Sequence, residues 1–393
     1  MKDSLRPIDV TFVLGIRPDV IRASIVLKLL EDHPKINFRF VWSGQHYSDN
    51  LKDIFFRELE IPLPDVTFES VGDNDVEIIS KVNIQLFEEL TNYTPRCVMF
   101  LGDTNTVLGS VAAMTLNIPI IHIEGCMRSY DWRMPEEKCR TIIDNISDVI
   151  YTYFPEYKLQ GVLEGIAPNR IVVIGNLIVD VLNKYYWPRT EYFKNIATEF
   201  LQKNGLNNNF YLATAHRREN VENHYSLTGI LKLFETLKLP VIFPASYRTQ
   251  KSLKMHKLRL PKNLIMVDPI GYELMLGLMS LSKGVITDSG TVVEETAVIG
   301  VPSIQMRRST ERPQTYDCKS SVKFDPDTDT PHSAIEKLKS IQNKQWEHRL
   351  GDGLASNRLI TDLVQRLEKK QISTHNPNSY HIPIERSYQG DGL

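Results

Sequence analysis

The sequence predicts an α/β protein built from two doubly wound domains that face a central cleft. Three observations lead there. Short apolar runs of the kind that form buried parallel strands alternate with helical periodicity from end to end. The series begins twice, near residue 10 and again near residue 210, and 393 residues are enough for two domains of ordinary size. The residues that follow the strands are mostly acids, bases and small loop residues, as expected when strand C-terminal ends deliver a site to one rim.

In the first half, residues 10–14 form a short apolar strand candidate, and residues 18–31 carry helical periodicity with Pro18 suited to a first turn. Residues 38–42, 97–101, 118–123, 149–152 and 171–174 are further strands. The second series is 210–214, 241–244, 264–267, 285–287 and 303–305. The aromatic and polar stretch 185–209 contains the junction, giving an N-terminal domain over 1–185 and a C-terminal domain over 186–370. Residues 371–393 read as a polar tail punctuated by Pro and Gly.

Composition narrows the function classes. A net charge of −2 supplies no basic surface for nucleic acid. No apolar run approaches the ~20 residues that span a bilayer, and the polar start carries no signal-peptide core. Cys97, Cys126, Cys139 and Cys318 show no metal spacing, which points to reduced thiols in a cytoplasmic protein with no metal and no cofactor.

The densest signal is Val285-Ile-Thr-Asp-Ser-Gly-Thr-Val-Val-Glu-Glu295, a strand that turns through small residues into a helix. Free N–H groups and the positive end of a helix dipole there suit a diphosphate. Gly290 permits close approach of an anion, Ser289 and Thr291 add hydroxyls, and Glu295, about one turn into the helix, can take hydrogen bonds from a ribose diol. The alternative is an ordinary turn whose Ser or Thr caps the helix.

Asp103, Glu124, Glu136 and Glu137 supply four carboxylates in one domain, and His216, Arg217 and Arg218 come from the other. Neighbouring carboxylates have pKa values pushed apart, as proton transfer requires. The competing structural reading makes Asp103 and Glu124 caps of the following helices, and Arg140 the partner of Glu136.

Eight ordered motifs carry a resemblance. They are Gly15-Ile-Arg17-Pro-Asp19, Gly102-Asp-Thr-Asn-Thr106, His122-Ile-Glu-Gly-Cys-Met-Arg128, Pro135-Glu-Glu-Lys-Cys-Arg140, Gly175-Asn-Leu-Ile-Val-Asp180, His216-Arg-Arg-Glu-Asn220, Asp288-Ser-Gly290 and Thr310-Glu-Arg-Pro313. Across residues 9 to 325 the chain resembles the non-hydrolysing UDP-N-acetylglucosamine 2-epimerase family, as a divergent member. The Asp-Ser-Gly-Thr form, Arg22 and Arg248-Thr249 look most similar to its capsule and O-antigen branch. The resemblance implies a GT-B-like fold of two Rossmann-like domains, with a C-terminal helix crossing back, and a homodimer acting on a UDP-sugar. It assigns acid/base and cation-stabilising roles to Asp103, Glu124 and Glu136, and a diphosphate-side role to His216. Substrate and UDP contacts fall to Arg17, Arg22, Arg140, Arg248, Ser289, Gly290, Thr291, Glu295 and Arg312. Gln45 and His46 become candidates for a second, activating site.

The chain departs from the family pattern at several points. Ile16 stands for Thr, Asp19 for Glu, Arg22 for Lys, Gly125-Cys126-Met127 for Ala-Gly-Leu, Cys139 for Asn, Ser246-Tyr247 for His-Pro, and Gln314 for an acid. Three other readings therefore stay open: a GT-B glycosyltransferase, a hydrolysing epimerase, and a UDP-sugar-binding protein without catalysis.

Overall fold

The computed structural model describes residues 7–44, 56–70, 72 and 74–374. Gln45, His46 and residues 375–393 lie outside the described residues. Two all-parallel sheets organise the rest. The first has seven strands: β1 (Val10–Leu14), β2 (Phe38–Trp42), β3 (Val66–Thr67), β4 (Cys97–Leu101), β5 (Ile120–Ile123), β6 (Val149–Thr152) and β7 (Ile171–Val173). Their order is β3-β2-β1-β4-β5-β6-β7. The second has six: β8 (Tyr211–Thr214), β9 (Val241–Pro244), β10 (Leu264–Val267), β11 (Val285–Thr287), β12 (Ser303–Met306) and β13 (Ser321–Phe324). These run β10-β9-β8-β11-β12-β13, so both sheets reverse direction beside their first strand, where doubly wound folds bind ligands.

Eleven of these strands fall where the apolar runs put them, to within two residues at either end. The two unanticipated ones are edge strands. β3 is two residues long, and β13 interrupts its apolar residues with the exposed Lys323, so neither presents the continuous apolar run of a strand buried on both faces. The junction stretch 185–209 contains the helix Thr190–Lys203, which buries Phe193, Ala197 and Leu201 at helical spacing.

The C-terminal helix Ala355–Glu368 crosses back to the first domain. It buries Ala355, Leu359, Ile360, Leu363 and Leu367 on one face, in the same apolar core as Val20, Leu27 and Leu30 of the helix Arg17–Glu31. Burying each large aliphatic side chain of this kind contributes about 1.5–3 kcal/mol. The Asp180 carboxylate caps this helix from a distance, accepting from the Ala355 and Ser356 amides at 3.2 and 2.6 Å. Four positions earlier, Asn176 donates to Glu294 at 2.8 Å, so the motif at residues 175–180 ties the two halves together.

Candidate active site

The strand ends of the two sheets meet. Arg17, just after β1, donates to the Ile270 carbonyl in the second domain at 3.2 Å, and Glu124, just after β5, is bonded by Arg312. Between the domains lies a cavity of about 430 Å³, lined by Arg17 and Trp42 from one side and by His216, Arg248, Ser289 and Glu295 from the other.

On the second domain's wall, β11 is followed by Asp288, whose carboxylate accepts from the backbone amides of His216 and Arg217, both at 3.0 Å. The His216 Nδ1 lies 3.2 Å from the same carboxylate, while its half-exposed ring lines the cavity. Ser289 precedes the helix Gly290–Ile299, and its Oγ accepts from the Val292 amide at 3.4 Å, so the hydroxyl caps the helix and also faces the cavity. Thr291 lines the same wall. Gly290 serves a different neighbour. A Cβ there would sit 2.5 Å from the Arg312 guanidinium, so the missing side chain is what lets Arg312 lie over the start of the helix.

Glu295 is buried at the back of the cavity and accepts a hydrogen bond from the Tyr272 hydroxyl at 2.7 Å. Burial raises its carboxyl to about 8, against the lowering effect of that hydrogen bond. Arg17 is moved the other way: burial lowers its guanidinium to about 10, partly offset by Glu58, and it remains charged. Arg248 stands at the rim, 3.7 Å from Glu222.

Beside the cavity sits a dense carboxylate–arginine cluster. Asp103, following β4, pairs with Arg140, which also donates to Glu137 at 2.6 Å. Glu124 is held by Arg22 and Arg312 and accepts from the Tyr153 hydroxyl at 3.3 Å. Arg22 also reaches Asp19 at 2.8 Å, and Arg312 also reaches Glu311 and, at 3.1 Å, Glu294. Burial works to raise the Asp103 carboxyl, but Arg140 and Arg217 together hold it below the ordinary range. Asp19 goes the opposite way, to about 7, through burial and the nearby charge of Asp103, with Arg22 opposing.

The structural alternatives fare differently. Arg140 bonds Asp103 and Glu137 rather than Glu136, and the turn Asn105–Gly109 after Asp103 takes no side-chain cap. Glu136 has a buried Oε2 with no hydrogen-bond partner among the described residues, and its charge acts on Arg217 and Arg218 of the other domain. Arg22, Arg140 and Arg312 stand among the carboxylates and not on the cavity wall, whereas Arg17, Arg248, Ser289, Thr291 and Glu295 line it. Sequence reasoning passed over Asp288 as an anchor of the His216 loop, and over Tyr153 and Tyr272 as hydroxyl partners of Glu124 and Glu295. Asp288 lay inside a recognised motif. The tyrosines sit in a strand end and a helix start with nothing local to mark them. Among the described residues no cluster of three or more His, Cys, Asp or Glu could hold a metal ion.

Two Rossmann-like sheets joined across such a cleft define a GT-B-like enzyme of nucleotide-sugar type. The UDP-N-acetylglucosamine 2-epimerase family model matches residues 28–364, and the chain belongs to that family of isomerases. It is 32% identical over 363 residues to a UDP-N-acetylglucosamine 2-epimerase of Methanocaldococcus jannaschii, covering 90% of this chain and 98% of the relative. It is also 32% identical over 365 residues to a UDP-2,3-diacetamido-2,3-dideoxy-D-glucuronate 2-epimerase of Pseudomonas aeruginosa, with 90% and 98% covered. The crystal structure of the M. jannaschii UDP-GlcNAc 2-epimerase in complex with UDP-GlcNAc and UDP superposes with a TM-score of 0.84 at 32% identity, over 91% of this chain and all of that one.

Proposed function

We propose that the protein interconverts UDP-N-acetylglucosamine and UDP-N-acetylmannosamine, or a closely related pair of UDP-2-acetamido sugars, by eliminating and re-adding UDP. The observation that carries this reading is the adjacency of two unlike half-sites. One is a helix N-terminus with Ser289, Arg17 and His216 around a cavity of nucleotide size; the other is a set of carboxylates, Asp103 and Glu124 paired with arginines and Glu136 sharing the charge of Arg217 with Asp103. Removal of the C2 proton and cleavage of the C1–O bond send the electron pair out with UDP and leave a 2-acetamidoglucal. A proton then returns to the opposite face of C2, and UDP oxygen re-forms the bond to C1. A C2 hydrogen is barely acidic, so departure of UDP carries much of the barrier and positive charge grows at C1. Nearby carboxylates stabilise that charge, and Arg17, His216 and the Ser289 loop stabilise the departing diphosphate. Positioned acid/base groups contribute roughly 10²–10⁴-fold. The diacetamido-uronate relative supports a modified sugar as an equal candidate for the pyranose. The family resemblance supports a homodimer in the cytoplasm.

NMR of the reaction with UDP-N-acetylglucosamine tests the class of reaction. Epimerised sugar still linked to UDP is expected, with turnover unaffected by EDTA because cationic side chains and the helix N-terminus hold the diphosphate. Free N-acetylmannosamine with released UDP would instead mark a hydrolysing enzyme, and loss of turnover on chelation would favour a metal-assisted transferase.

Glu295 tests the nucleotide half-site. Its carboxyl lines the cavity beside Tyr272, where it can accept from the ribose hydroxyls. Glu295→Ala is expected to weaken UDP binding by ~1.5–3 kcal/mol by calorimetry. An unchanged affinity would remove Glu295 from the ribose site.

A further inference from the structure

His122 lies in the middle of β5, in register with Phe100 of β4 and Ile150 of β6, and is fully buried. Both of its ring nitrogens face oxygens. Nε2 is 2.8 Å from the Gly102 carbonyl and Nδ1 is 2.7 Å from Asp144 Oδ1. A carbonyl can only accept, so Nε2 carries a hydrogen. The other oxygen of Asp144 accepts from the Cys126 amide at 3.0 Å and from Arg128 at 2.6 Å, which marks this carboxylate as ionised and therefore also an acceptor at Oδ1. Both ring nitrogens are then donors, as in an imidazolium, at one end of a buried His122–Asp144–Arg128 chain that runs out to the exposed Glu164, the last link being 2.7 Å.

This chain grips both turns that bear the carboxylates. Gly102 is the residue before Asp103, and Cys126 closes the turn that begins at Glu124. That second turn is strained: Glu124 and Cys126 are non-glycine residues at φ +73° and +64°. Left-handed backbone is unfavourable at residues with a Cβ and persists only where the surroundings enforce it. The enforcing contacts are the Cys126 amide on Asp144 and the Glu124 and Gly125 amides on the Tyr151 carbonyl, at 2.9 and 3.2 Å. Gly125 between them has no room for a side chain, since a Cβ would meet Asp144 Oδ1 at 2.6 Å and His122 Nδ1 at 3.0 Å.

We propose that His122 is a positioning residue which, held as an imidazolium between Asp144 and the Gly102 carbonyl, sets the relative placement of Asp103 and Glu124. The catalytic consequence rests on the epimerase reading above, whereas the protonation state does not. Multiple-bond ¹H–¹⁵N NMR of the whole protein labelled at histidine is the first test. One buried ring is expected to show two protonated nitrogens; a bare nitrogen on the ring that His122→Gln removes from the spectrum would overturn the assignment. The second test is kinetic. Misplacing reacting groups by about 1 Å costs on the order of 10²-fold. His122→Leu is expected to lower kcat about that much with KM for the UDP-sugar within about threefold, and His122→Gln, whose amide can still donate to Gly102, to recover roughly tenfold of the loss. Wild-type kcat in the Leu variant, or equal losses in Leu and Gln, would overturn the positioning role. Should the Leu variant not fold, the Gln variant is read against the wild type, and a kcat unchanged in Gln together with a neutral ring in the wild type would overturn it as well. If the wild type turns over no UDP-sugar at all, the epimerase reading fails by itself, and the NMR spectrum still decides the imidazolium.

Discussion

Replacing Glu136 by Gln is expected to lower kcat by roughly 10²–10⁴-fold while KM and the affinity for UDP change little. Glu136 differs from the other carboxylates of the cluster in having no arginine hydrogen-bonded to it among the described residues; Arg217 and Arg218 act on it only through their charge. Asp103 is bound to Arg140 and Glu124 to Arg22 and Arg312, but the buried Oε2 of Glu136 meets no hydrogen-bond donor among the described residues. Leaving a buried polar atom unmet costs about 1–3 kcal/mol, which a folded protein recovers when substrate supplies the partner. The amide keeps the shape and removes the charge and the proton-transfer capacity. Its fold should be intact because no ion pair is broken. Steady-state kinetics with the UDP-sugar and calorimetry with UDP check this; a Gln variant with wild-type kcat would take Glu136 out of the reaction. Asp103→Asn and Glu124→Gln should also lower kcat, but each removes the charge facing a buried arginine, so both should lose stability as well.

The largest effect on stability is expected at Arg312. This one guanidinium contacts Glu124 of the first domain and Glu294 and Glu311 of the second, and it lies over Gly290 at the start of the helix behind the cavity. Removing one member of a buried charge cluster leaves its partners uncompensated, at about 3–5 kcal/mol. Glu124 would keep Arg22, Glu311 would keep Arg307 at 2.8 Å, and Glu294 would keep Asn176, so the loss should fall within that range rather than above it. Arg312→Met fills similar space without charge. Urea unfolding should show a midpoint shift of that size, and unfolding that loses its cooperativity between the halves would be consistent with the cross-domain contacts of this residue. A variant as stable as the wild type would show that the cluster contributes nothing net.

Much of the fold was legible because parallel strands buried on both faces must be apolar along their length. The runs 10–14, 38–42, 97–101 and 241–244 give their strands with both ends correct. β13 escaped because an edge strand tolerates Lys323 on its exposed face. Motif residues located the cavity wall: Arg17, His216, Ser289, Thr291 and Glu295 all line it. What the motifs could not convey is which charges neutralise one another. Arg22, Arg140 and Arg312 read as anion-binding residues, and each also lies against a carboxylate brought from elsewhere in the chain: Glu124, Asp103 and again Glu124. The tyrosine hydroxyls on Glu124 and Glu295 likewise come from positions 29 and 23 residues away, beyond any local pattern. Gly290 reads as a site for anion approach, and the neighbour that its missing side chain also admits is Arg312, more than twenty positions later.

Turnover of UDP-N-acetylglucosamine in D₂O tests the central claim most directly. Elimination and re-addition remove the C2 proton and return one from the other face, and the two need not be the same proton. The epimerised UDP-sugar is therefore expected to carry deuterium at C2, and recovered substrate should gain it as the reaction approaches equilibrium. Product formed with hydrogen retained at C2 would contradict a proton transfer that exchanges with solvent, and the absence of any turnover together with tight UDP binding would contradict catalysis altogether.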